Sequence, residues 1–266
     1  MNTIGQLIKD ARKIVIKIGS NVLSDDTGVV NKERMHSIVE QINMLTDAGK
    51  QVVVVSSGAG ICGVGAINKW NRRSDINYKQ ALCAIGQVEL MMAYKEYFAD
   101  YGHHVGQILL TAEDFADPNR ALHIRNTLFT LLDEGVIPII NENDSVCVDE
   151  IKIGDNDTLS ARTAMLWSAD LLIILSDIDG LFDKNPKMHS DAKLIECVES
   201  AERICGEVAT DGQSSFGTGG MQCKLTAAIK VNAYGIPLVL LNGKQPGIIR
   251  EAVEGTAKGT TFLVGQ

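Results

Sequence analysis

Two runs of consecutive aliphatic residues, VVVV at 52–55 and LLIIL at 171–175, constrain this chain more than any other feature. A strand with one wet face alternates apolar and polar side chains, so a run without alternation has to be covered on both faces. Both runs have strand length and fall far short of the ~18 apolar residues that would span a bilayer. RKIVIKI (12–18), VGQILLT (105–111), VIPII (136–140), IPLVLLN (236–242) and a short segment at 260–264 extend the set of predicted strands. Helical signals lie between them. Asn31 stands as an N-cap before Met35, Ile38, Val39, Ile42 and Leu45 at helical spacing, and Gly49 is the stop. Further helices are predicted over 78–101, 119–134 (ended by Gly135), 158–168 and 218–234. The stretch SNVLSDDTGVV after the first strand reads as a polar, hairpin-like connection, and a short hairpin is expected inside the polar loop 141–157. Residues 177–217 show little periodicity and suit a lid or small subdomain. Strands alternating with helices imply an α/β chain with a mostly parallel sheet and helices on both faces. Ligands in such folds sit at the carboxyl ends of the strands. No repeat or linker divides the 266 residues, so a single domain, 1–266, is expected.

Composition narrows the function. Hydrophobic residues make up 45%, as in ordinary globular proteins, and the formal charge is −8. A net negative chain is poorly suited to a phosphate backbone, so no nucleic-acid partner is expected. It can still bind a phosphorylated ligand, because binding follows local charge. The N-terminal MNTIGQLIKDARK has no apolar stretch of signal-peptide length, and no membrane association is expected; a cytoplasmic location follows. The six cysteines contain no CxxC pair, which argues for reduced thiols rather than a zinc site.

One motif misleads. Gly58-Ala59-Gly60-Ile61-Cys62-Gly63 matches GxGxxG after a strand, the signature of a dinucleotide-binding turn. Confirmation requires a second buried strand ending in Asp or Glu about 20 residues on. The sequence there is NKWNRRSDINYK, which is too polar. The glycines then serve a close backbone approach to a ligand or a sharp turn into a helix.

Other strand ends carry anion-binding chemistry. Lys17 lies inside an apolar strand (IVIKIG), where a lysine is costly to bury unless an anion meets it; snorkelling to the surface is the alternative. Gly217-Thr218-Gly219-Gly220-Met221-Gln222-Cys223-Lys224 opens a late helix, and free amides at a helix N-terminus form a phosphate cradle. It is not a Walker A loop. Asn141-Glu142-Asn143-Asp144 follows a strand and Gly154-Asp155-Asn156-Asp157 enters a helix. Carboxylates gathered at neighbouring strand ends require cations, from lysines, a substrate ammonium or Mg²⁺. N-capping by Asp155 or Asp157 accounts for one of them. No histidine falls in these segments, which disfavours esterase or protease chemistry. Transfer to a carboxylate suits them, because a carboxylate with a pKa near ~4.3 is already an ionised nucleophile.

VIKIGSNVL, VVVVSSGAG, INENDSV, IKIGDNDTLSA, LSDIDGLF and GTGGMQCK occur in the order and spacing of the glutamate 5-kinase family, and the resemblance covers essentially the whole chain. It implies the amino-acid-kinase fold, a three-layer α/β/α sandwich around an open, mostly parallel sheet. It also implies transfer of the γ-phosphoryl group of ATP to the side-chain carboxylate of L-glutamate, with Mg²⁺ on the ATP oxygens and no dedicated protein ligand for it. Lys17 and Lys224 would hold the transferring group, and Asp157 would orient them. Ser176 and Asp177 would border the nucleotide, and Thr218, Gly219, Gly220, Met221, Gln222, Cys223 and Lys224 would cover its phosphates. Ser57, Asp144 and Asn156 would bind glutamate, under a cover formed by residues 60–77. Feedback inhibition by proline and a homo-oligomeric assembly are further implications. Many relatives carry a C-terminal domain of an RNA-modifying-enzyme (PUA) type, and this chain ends about where it would begin. The alternatives are a kinase of the same fold acting on aspartate, acetylglutamate, carbamate or UMP, or a sensor that binds nucleotide or amino acid without turnover.

Overall fold

The computed structural model describes residues 3–24, 29–68, 75–147, 156–186, 188–210 and 220–265, with only the backbone given over 206–210. The predicted hairpin within 141–157 and the segment 211–219, which includes Thr218 and Gly219, lie wholly or largely outside these residues. The unalternating runs form the centre of the sheet. β1 (Lys13–Ile18) pairs in parallel with β2 (Gln51–Ser56) on one side and β5 (Leu171–Ser176) on the other. β4 (Ile137–Glu142) and β3 (Val105–Leu110) continue beyond β2, and β9 (Leu238–Asn242) continues beyond β5, all parallel. β10 (Gly259–Phe262) runs antiparallel to β9 and carries β8 (Cys197–Val198) at the edge. The order is β3-β4-β2-β1-β5-β9-β10-β8, so the chain builds to one side of β1 and then returns to the other. A separate two-stranded ribbon joins β6 (Leu181–Phe182) to β7 (Leu194–Ile195) in the weakly periodic region.

Both faces of the central strands are dry. Ile14, Ile16, Ile18, Val52, Val54, Leu171, Ile173, Leu175, Val239 and Leu241 point into one core. It is shared with helices α1 (Ile4–Asp10), α3 (Lys32–Asp47), α4 (Ala59–Ile67), α5 (Ile76–Ala99) and α11 (Ile248–Glu254). Val15, Val53, Val55, Leu172, Ile174, Leu238 and Leu240 point into the other. That core is shared with α7 (Pro118–Asp133), α8 (Asp157–Trp167), α9 (Ala201–Thr210) and α10 (Gly220–Asn232). The result is a three-layer α/β/α sandwich. Asn31 caps α3 by accepting from the Arg34 amide, and Asp75 caps α5 through the Tyr78 amide.

Several expectations shift. SNVL forms a short helix, α2 (Ser20–Leu23), rather than the arm of a hairpin, although Ser24 and Val30 do form an antiparallel bridge. The strand predicted at 136–140 runs to Glu142, which puts Asn141 and Glu142 inside the sheet instead of in a loop. Gly58, at φ 103°, turns β2 directly into α4. α1, α6 (Ala112–Ala116) and α11 are too short for periodicity to reveal.

The crossing of α4 and α5 is backbone on backbone. A methyl group at Gly86 would stand 1.8 Å from the Ala59 carbonyl oxygen, and one at Gly63 would stand 1.9 Å from that of Leu82. Gly86→Ala is therefore expected to cost about 3 kcal/mol, the upper part of the range for overpacking. At Gly65 the same methyl would meet only Val29 at 3.9 Å. Gly65→Ala should leave stability unchanged or raise it by up to ~1 kcal/mol, because alanine suits a helix interior better. Denaturant midpoints of the two variants check this.

Candidate active site

Period-two geometry decides where Lys17 goes. It shares a strand face with Val15, two residues earlier, and that face is covered by α8 and α10. Its ammonium meets the Asp157 carboxylate at the first turn of α8, Nζ to Oδ1 2.5 Å. Lys224, one turn into α10, donates to the other oxygen of the same carboxylate, Nζ to Oδ2 2.9 Å, and to the Gly220 carbonyl at 3.1 Å. Lys17, Asp157 and Lys224 are 6%, 0% and 8% exposed. Burial pushes the Asp157 carboxyl upward, but the charges and hydrogen bonds of the two lysines outweigh it and hold it below the usual carboxylate range. Two lysines share one carboxylate, so a chain with a formal charge of −8 still gathers cationic side chains near the ends of its central strands.

The predicted nucleotide border lies at the end of β5. Ser176 donates to Asp177 at 3.3 Å. Burial raises the Asp177 carboxyl, but the Asn21 amide donating at 3.1 Å, its own backbone amide and the charges of Lys224 and Lys244 bring it below the usual value. Gly220, Met221, Gln222, Cys223 and Lys224 form the first turn of α10. Met221 is buried, and Gln222 hydrogen-bonds Cys205 at 3.4 Å. Among the described residues no group of three His, Cys, Asp or Glu side chains could chelate an ion. Asp177, held below the usual carboxylate range in the predicted nucleotide border, is a carboxylate that would suit Mg²⁺ arriving with a nucleotide.

The predicted amino-acid residues gather at the ends of β2 and β4. Asn156 occupies the N-cap of α8, yet its side chain does not cap the helix. Its amide nitrogen instead donates to the Ser56 carbonyl at 2.8 Å, to Asn141 Oδ1 at 2.8 Å and to Ser57 Oγ at 3.2 Å. Asp144 lies three residues beyond Asn141, in a turn whose carboxylate hydrogen-bonds the Cys83 thiol on α5. Burial first, and then the Asp144 charge, push that thiol up to about 12, so it stays protonated as a donor. The acidic cluster expected from sequence is thus divided: Asp157 serves the lysines, Asp144 faces α5, Glu142 is buried in β4, and Asp155 lies outside the described residues.

Sequence reasoning missed the layer beneath. Gln87 and Tyr94, buried on α5, reach Asn141 and Ser56 at 2.8 Å each. The available signal was two groups with polar ends seven residues apart, on the helix face that also carries Leu90 and the buried Gly86. Of the expected cover 60–77, residues up to 67 belong to α4, and 69–74 lie outside the described set.

Residues 12–242 match the amino acid kinase family. The glutamate 5-kinase of Alkaliphilus metalliredigens (strain QYMF) is 56% identical over 263 residues, covering 99% of this chain and 100% of that one. The glutamate 5-kinase of Alkaliphilus oremlandii (strain OhILAs) is 55% identical over 257 residues, covering 97% and 98%. Among solved structures, a carbamate kinase from Giardia lamblia bound to AMP-PNP aligns with a TM-score of 0.67 at 15% identity, over 96% of this chain and 99% of that one, a likeness of fold.

Removing the central charge tests the cluster. A carboxyl held below its unfolded value, near ~3.9, stabilises above that value, and the contribution is lost as pH falls through the folded value. Asp157→Asn leaves two buried ammonium groups without a counter-charge. It is expected to cost ~3–5 kcal/mol at neutral pH. In urea titrations the gap to the parent should stay constant from about pH 5 to about pH 8 and narrow as pH falls below ~4.

Proposed function

We infer that this chain, which belongs to the amino acid kinase family and within it to the glutamate 5-kinases, transfers the γ-phosphoryl group of ATP to the side-chain carboxylate of L-glutamate. The observation that carries the chemistry is the buried Lys17–Asp157–Lys224 cluster at the ends of the central strands. A carboxylate oxygen of glutamate attacks the γ-phosphorus, the bond to the bridging oxygen breaks, and ADP leaves with that electron pair. The product is an acyl phosphate, the first intermediate towards proline. The nucleophile is already ionised at neutral pH, so no general base is needed. Catalysis then rests on alignment and on neutralising the charge spread over the transferring oxygens. Lys17 and Lys224 supply that neutralisation, and Asp157 keeps both side chains extended towards the same point. Mg²⁺ adds charge on the ATP oxygens and leaves these roles unchanged.

Ser57, Asn156 and Asp144 take the amino acid. With its nitrogen spent on Ser56, Ser57 and Asn141, Asn156 presents its carbonyl oxygen to a donor. A free ammonium group is such a donor, and Asp144 is its charged partner. An N-acetylated substrate would bring a neutral amide instead. Proline shares the ammonium and the carboxylate of glutamate, which supports competition for the same pocket. Ile85, Val88 and Met92, 38%, 59% and 60% exposed on one face of α5, support assembly of like subunits through that helix. No helix among the described residues is long and apolar enough to cross a membrane. The use of ATP supports a cytoplasmic reaction.

An ADP-release assay across glutamate, acetylglutamate, aspartate, carbamate and UMP tests the reading. Turnover with glutamate is expected, and activity only with another acceptor refutes the substrate assignment. ATP and glutamate binding without ADP release would identify a sensor. Lys224→Ala should lower turnover at least ~100-fold, as removal of a main charge partner of the transition state does. Asp144→Asn should raise the glutamate KM and leave that of ATP unchanged.

A further inference from the structure

The orientation of every amide beneath the amino-acid site follows from one backbone carbonyl. Ser56 O can only accept, so the Asn156 atom 2.8 Å away is its nitrogen. That nitrogen also donates to Asn141, which fixes the Asn141 atom as oxygen; the same oxygen accepts from the Glu142 amide at 2.9 Å. The other Asn141 terminus is therefore a nitrogen, and it donates to Gln87 at 2.8 Å. The Gln87 atom it meets must be Oε1. Gln87 Nε2 is left buried with no partner among the described residues, on a residue 9% exposed. Turning the Gln87 amide over would set two NH₂ groups against each other, so the unpaired donor belongs to the network. Native structures leave very few buried donors unpaired, and those they keep call for an explanation.

Gln87 is not isolated on its helix. Gln80, Cys83 and Gln87 follow helical spacing along one face of α5. They meet, in order, the Ser145 carbonyl at 3.4 Å, the Asp144 carboxylate and the Asn141 amide. One turn and three residues further, Tyr94 meets Ser56 Oγ. The single Ser56 hydroxyl proton goes to the Ser57 carbonyl at 3.0 Å, so Tyr94 is the donor of that pair. α5 thus touches each segment that carries a proposed glutamate ligand: Ser57, Asp144 and, through Asn141, Asn156.

We propose that Gln87 is a positioning residue for the acceptor substrate: by accepting from Asn141 it fixes the Asn156 amide with its oxygen towards the substrate ammonium. It touches neither lysine of the phosphoryl site, so its influence is confined to the amino-acid half of the reaction. The proposal rests on the glutamate kinase reading.

Gln87→Met, which keeps the length and removes the acceptor, and Gln87→Glu, which keeps an acceptor oxygen and adds a titratable carboxyl, are compared with the parent by steady-state kinetics. Gln87→Met should raise the glutamate KM about tenfold while the ATP KM changes less than about twofold. Equal changes in both KM values, or no change in either with the fold intact, overturn the proposal. Gln87→Glu decides the matter if the Met variant does not fold. Its side-chain oxygen accepts from Asn141 whether the carboxyl is protonated or ionised, so both the glutamate KM and the ATP KM of this variant should stay within about twofold of the parent. A rise of about tenfold in its glutamate KM alone, with the acceptor oxygen kept, overturns the proposal. A parent that never turns over glutamate refutes the kinase reading instead, so the two failures are distinguishable.

Discussion

One carboxylate organises this molecule's chemistry. Asp157 is fully buried, and its two oxygens take ammonium groups from β1 and α10. Without it, two lysines would be enclosed together with no counter-charge, at a cost of several kcal/mol (~3–5). With it, both lysine side chains are drawn to one point near the ends of the central strands. Both the depressed Asp157 carboxyl and the confinement of its stabilising contribution to pH above the ordinary carboxylate range follow from this arrangement.

The two halves proposed for the site are built from different physics. The half proposed for the phosphoryl group is charge on charge among buried side chains. The amino-acid half is a chain of neutral amides, each oriented by the next, running from α5 through Asn141 to Asn156 and the Ser56–Ser57 backbone. Neutral networks of this kind discriminate by direction rather than by strength. The division suits an enzyme that must handle a polyanion at one end and select one small amino acid at the other.

Much of this could be read directly. Unalternating apolar runs dictated a doubly covered sheet, and a lysine in such a run demanded an anion. Asn31, Gly49 and Gly135 marked helix ends through their local chemistry. What escaped was set by tertiary context. Asn141 and Glu142 looked like loop residues because polar side chains argue against a strand, yet the sheet extends through them and the Asn141 side chain joins the hydrogen-bond network. Asn156 looked like part of an acidic patch, and its conversion from helix cap to hinge of a hydrogen-bond network depends on strands about 100 residues away. Gln87 is one of several polar residues on a long mixed helix, and its spacing from Tyr94 did not say which strand end it faces.

Sequence distance gives the cluster a temporal order. Lys17 and Asp157 can meet once the chain has been synthesised through α8, forming a pair with no net charge. Lys224 lies 67 residues further on. The Lys17–Asp157 pair alone would carry no excess charge, so whatever positive excess the cluster has depends on a helix remote in sequence from the strand and helix that make the pair.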